Sequence, residues 1–119
     1  MRILRRGATS ALLVVGLLSS VRAEARSVHG ATIPDGAEPT GQVNQFIARR
    51  PWNKIMTELR RTYRRVPGVV FRRVSTPPRI RAWYIQNTRA GRTWDGINVY
   101  EDLAKRTVYL SVLPSARRR

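Results

Sequence analysis

Arg79, Arg81 and Trp83 alternate along one stretch of this chain. On a β-strand, alternate residues share a face. Guanidinium groups make forked hydrogen bonds to phosphate or sulfate, and aromatic rings stack on bases or sugars. A face carrying both residue types suits a polyanion. Arg89 and Arg92 in the next loop and Tyr109 on a later strand extend the set. Arg60, Arg61, Arg64 and Arg65 form a second basic cluster at the end of a helix.

Other chemistry is thinly supplied. His29 is the only histidine and the chain has no cysteine. Neither a zinc site nor a thiol nucleophile can be assembled, and a Ser–His–acid triad would depend on His29 alone. Glu101 and Asp102 are adjacent, so on a strand they point to opposite faces. Arg89-Ala90-Gly91-Arg92 matches no phosphate-cradling loop. The expectation is no catalytic residue, no metal and no cofactor.

Charge points to the partner. Twenty-three Lys and Arg stand against seven Asp and Glu over 119 residues, a net +16. Such a surface attracts nucleic acid, other anionic polymers, anionic membrane or an acidic protein. Part of the Arg-over-Lys preference can reflect genomic base composition; the scarcity of acids does not.

The first residues resemble an export signal. Arg2, Arg5 and Arg6 precede the apolar run Ala11–Leu18, and Val21-Arg22-Ala23 and Ala23-Glu24-Ala25 offer small-residue cleavage sites. The run is too short to span a bilayer, which takes roughly 20 apolar residues. A secreted or periplasmic protein is expected. Mitochondrial import is the alternative, since the leader is also Arg-rich and free of acids before Glu24. If residues 1–23 leave, four basic residues go with them; 19 remain against seven acids, a net +12.

Several elements must position these residues. Residues 24–41 are rich in Gly, Pro, Ser and Thr and read as a flexible linker. Residues 42–114 read as a single small α+β domain, and 115–119 as a basic tail. Val43, Phe46 and Ile47 suggest a short helix broken near Pro51. Trp52, Ile55, Met56, Leu59, Tyr63 and Val66 then form one apolar stripe with helical period, stopped by Pro67-Gly68. Strands are expected over 69–74, 79–86, 97–101 and 107–113. Ile80, Ala82 and Tyr84 are read as facing the helix. The fold class is α+β: an N-terminal helix, broken near Pro51, packed on a four-stranded antiparallel sheet. The uncovered sheet face leaves room for a homodimer.

The helical first half, the paired Tyr and Arg, and Val108–Leu113 running into Arg117-Arg118-Arg119 resemble the layout of RelE-type toxins. That resemblance implies a small ribonuclease relying on Arg81 and Tyr109. The outline of one helix on a meander is also similar to cystatin-like inhibitory domains, although their Gln-Val-x-x-Gly loop is missing. The main expectation is an exported, non-enzymatic binding protein for anionic polymers or surfaces. A ribonuclease-like toxin and a structural or inhibitory protein-binding module are the alternatives.

Overall fold

Helix α1 covers Trp52–Tyr63 and buries Trp52, Ile55, Met56, Leu59 and Tyr63, the stripe its sequence period prescribes. The computed structural model describes residues 26–116; the leader read over 1–23 and the basic residues 117–119 lie outside them. Around α1 stand eight strands: β1 (Arg26–Val28), β2 (Ala31–Ile33), β3 (Glu38–Pro39), β4 (Gln45–Ala48), β5 (Val69–Val74), β6 (Ile80–Asn87), β7 (Trp94–Asp102) and β8 (Thr107–Pro114). β1 and β2 form a separate hairpin. The other six make one antiparallel sheet in the order β3-β4-β8-β7-β6-β5.

This corrects the expected four-stranded sheet with an N-terminal helix. The described fold is mostly β, with eight strands in two sheets and a single helix. The residues read as a short helix before Pro51 are strand β4, paired with β8 through Gln45↔Ser111 to Ala48↔Val108. Three apolar residues cannot separate a helical from a strand period. Two features settle it. Asn44 is left-handed (φ 60), and Phe46 and Ala48 alternate into the core while Val43 stays 87% exposed. The segment before it also carries structure. Ala31, Ile33 and Ala37 are buried, and His29 and Gly30, both with positive φ, make the tight turn between β1 and β2.

β4 and β5 lie at separate positions of one sheet and run in the same direction, so the link between them must return along the sheet. α1 is that return. Twelve residues give a helix of about 18 Å, most of the length of the strands beneath it. Its start lies over the Arg81 end of β6. Its last residue, Tyr63, meets Trp94 at the far end, ring centroids 5.5 Å apart.

The β1–β2 hairpin packs on this sheet face beside α1. Arg26 lies 5.8 Å over the Phe46 ring. The Tyr63 hydroxyl accepts the Thr32 N–H at 2.7 Å and donates to the Thr32 carbonyl at 2.9 Å. Glu58 receives the Asp35 N–H at 2.9 Å, and Arg50 donates to the Asp35 carbonyl at 3.1 Å. Helix and hairpin thus close one core over Ile85, Ile97, Val99, Val108 and Leu110, all 0% exposed.

Candidate functional site

The residues expected to share one basic–aromatic face are divided by the sheet. β6 alternates as expected, but its two faces are exchanged. Register places Arg81 opposite Glu101, Trp83 opposite Val99 and Ile85 opposite Ile97, and this row faces α1. Ile80, Ala82 and Tyr84 point to the other side. Both faces of β6 carry apolar residues, so the strand alone does not choose between them. Ile85 and its buried partners Ile97 and Val99 do. Tyr109 stacks on Tyr100 at 5.2 Å, on the face away from Arg81 and Trp83. The pair expected of a ribonuclease, Arg81 and Tyr109, is therefore separated by the sheet.

The loop arginines are occupied. Arg92 pairs with Asp95 at 2.8 Å and donates to the Arg89 carbonyl at 3.1 Å. Arg89 donates from Nε to the Asn87 side chain at 3.0 Å. In the helix cluster, Arg60 is drawn back over Phe71 and Trp83, at 5.4 and 5.0 Å. Arg61, Arg64, Arg65 and Arg79 are exposed.

What the structure brings together is a different set. A cleft of about 700 Å³ opens where β4 gives way to α1, bounded by Arg49, Arg50, Arg81, Lys105 and Arg106. The sheet explains the convergence. Ala48 pairs with Val108, so Arg49 and Arg50, leaving β4, run alongside Thr107 and Arg106 as they enter β8. The next steps across, Val108 to Glu101 and Glu101 to Arg81, bring β7 and β6 to the same end.

Arg81 joins this cleft to its aromatic side. Its Nε meets Glu101 at 2.6 Å, the carboxylate side chain being only 8% exposed. The guanidinium lies 5.0 Å over Trp52. A buried carboxylate is costly unless paired, and Arg81 supplies the pair while half its side chain stays in solvent. Beyond Trp52, a smaller groove is lined by Arg73 and Trp83, with Arg73 5.6 Å over that ring. On the other side, Lys54 and Arg61 border a groove that shares Arg50 and Asn53 with the main cleft. The three depressions share lining residues and together make a cationic track around the start of α1, with Glu58 in one of them.

Its electrostatics are one-sided. The described residues hold 16 Lys and Arg and six Asp and Glu, a net +10. Four of those acids pair with arginine: Glu38 with Arg49, Glu58 with Arg50, Glu101 with Arg81 and Asp95 with Arg92. The Glu38–Arg49 contact is long, 3.9 Å, with both side chains well exposed, so it neutralises Arg49 weakly. Burial pushes the Glu58 carboxyl up, but the Asp35 N–H and Arg50 outweigh it and hold it below its ordinary value. Lys105 and Arg106 sit on the tip of the β7–β8 turn, which Asp102 fixes by accepting the Ala104 and Lys105 N–H groups.

This arrangement can attract and seat an anionic chain. His29 lies in the hairpin turn with its Nε2 3.0 Å from the Asn44 side-chain oxygen, outside the cleft. Among the described residues no three His, Cys, Asp or Glu gather as a metal cluster, and no helix is long and apolar enough to cross a membrane. Sequence reasoning missed Arg49, Arg50, Lys105 and Arg106. The available signal was an Arg-Arg pair before Pro51 and a Lys-Arg pair at a strand start. Nothing local showed that β4 adds to β8 and makes them neighbours. No protein-family model matches the chain, and no match was found among curated proteins or solved structures.

Proposed function

We propose that this protein is a non-enzymatic binder of anionic polymers, holding them along the cationic track around the start of α1. The observation that carries the reading is the convergence of Arg49, Arg50, Arg81, Lys105 and Arg106 on one cleft whose wall contains a single carboxylate, Glu101, already held by Arg81. Trp83, half-buried with Arg73 over its ring, gives the track an aromatic edge, while Trp52 lies buried beneath Arg81. The Arg-rich leader and apolar run ahead of residue 24 make export part of the same proposal.

The test is binding of a labelled 20-nucleotide single strand, and separately of heparin, followed by fluorescence anisotropy across a salt series. About five phosphate contacts give a log–log salt slope near −3.5, or roughly a hundredfold loss of affinity between 50 and 200 mM salt. Replacing Arg49, Lys105 and Arg106 together by Glu should abolish that binding, while changing Arg89 and Arg92 should spare most of it. No binding of either probe at low salt, or binding indifferent to the triple replacement, would overturn the proposal.

A further inference from the structure

The sheet face turned away from α1 is unlike the rest of the described surface. Four of the six exposed large apolar side chains, Val70, Val74, Ile80 and Leu113, stand on it. Tyr84, Tyr100 and Tyr109 fill its middle, with Asn98 and Ser111 paired between them. Tyr84 lies directly over Gly96, where there is no room for a Cβ. Tyr100 and Tyr109 stand stacked with ring planes 15° apart, and Gln45 donates to the Tyr100 hydroxyl at 3.0 Å. The face is therefore an ordered apolar and amide surface.

We infer that two copies of the chain pair through this face, sheet against sheet about a twofold axis, with their cationic tracks turned outward. Charge restricts how a second copy can approach. The described residues carry +10 in total, so two copies repel each other across most relative orientations. On this face charge is sparse: Arg72 is tied to Gln86 at 2.6 Å, Asp102 at one margin holds the β7–β8 turn, and Glu38 at the other pairs with Arg49. A second copy can approach here without bringing cationic tracks together. Size also fits. Five spacings of ~4.8 Å between strands averaging about six residues give a footprint of roughly 500 Å². With side-chain relief, this approaches the ~800 Å² of accessible surface that each partner buries in a standard interface. Two twisted sheets pack face to face at about 10 Å with their strands some 30° apart. The resulting dimer presents two tracks on opposite sides, so it can bridge two segments of the polymer that the proposed function assigns to each track.

The full chain, purified free of nucleic acid, should show twice the monomer mass by sedimentation equilibrium in 0.5 M NaCl, where bridging by residual polyanion is screened. Asn98→Arg and Ser111→Arg place like charges across the twofold face and should yield monomers with unchanged far-UV circular dichroism. Because the chain has no cysteine, Asn98→Cys and Tyr109→Cys should cross-link on mild oxidation, whereas Thr57→Cys on the outer side of α1 should not. A monomer across 1–100 µM overturns the inference, even if it binds lipid vesicles or another protein through this face. So does a dimer that survives both Arg substitutions, or cross-linking confined to Thr57→Cys. Polymer binding by a monomeric variant, with weaker avidity, separates failure of the dimer from failure of the binding proposal.

Discussion

Replacing Tyr63 by Phe tests how the N-terminal hairpin joins the core. The ring remains against Trp94 and only the hydroxyl is lost. That hydroxyl answers both backbone groups of Thr32, at 2.7 and 2.9 Å, taking the part of a neighbouring strand for β2. Each bond contributes about 1 kcal/mol net, and an unanswered buried partner costs about 1–3 kcal/mol. Thr32 is only half-buried, so water recovers part of the loss, and the expected destabilisation is about 2 kcal/mol. In a domain of this size that lowers Tm by roughly 10 °C. Urea denaturation at pH 7 measures it, and hydrogen exchange locates it: amides of residues 26–33 should lose protection before those of β6–β8. The pH dependence adds a second check. Burial pushes the Tyr63 phenol above its ordinary value of 10.0, although its bonds to Thr32 pull the other way. The fold therefore favours the protonated phenol. Its contribution is complete below the unfolded value and fades as pH rises through the folded one. The gap between wild type and the Phe variant should accordingly narrow above pH 10. A loss below ~0.5 kcal/mol with unchanged protection of 26–33 would refute the reasoning.

Three further outcomes follow from the same geometry. Arg81→Ala leaves Glu101 buried without its partner and uncovers Trp52; the expected loss is about 2 kcal/mol by thermal melting, below the range for fully buried pairs because Arg81 is half exposed. Glu58→Gln should cost about 1 kcal/mol at neutral pH. Since the Glu58 carboxyl is held below its ordinary 4.5, that difference should persist above this value and disappear as pH falls through the lowered one, as followed by acid titration of stability. Gly30→Ala puts a Cβ on a residue with φ +90 and into the Thr93 side chain; an expected loss of 1–3 kcal/mol, read by urea denaturation, checks the hairpin turn.

The helix was legible because its information is local. Six apolar residues on one 3.6-residue period, closed by Pro67-Gly68, mark the helix, and all but Val66 fall within Trp52–Tyr63. The four later strands were legible from alternation and from turn residues, and β5 begins and ends where those signals put it. Positive charge was legible as a sum. The segment from 26 to 48 was not. Ala31, Ile33 and Ala37 are too few and too small to show a period, and they are buried by packing into a core where Tyr63 and Glu58 of α1 also bond the backbone beside them.

The site depended on the same distinction. Sequence alone determined that the protein is strongly basic, that the segment from Trp52 is an amphipathic helix followed by four strands, and that Arg81 and Trp83 share a face. Tertiary structure decided which face that is, because β6 is apolar on both sides and only the partners Ile97, Val99 and Glu101 fix the choice. It also decided which cations meet. Arg49 and Arg106 are far apart in sequence and become neighbours through the pairing of β4 with β8, a contact set by filling a sheet edge and closing a core. Charge is additive along a chain, whereas a binding surface depends on register.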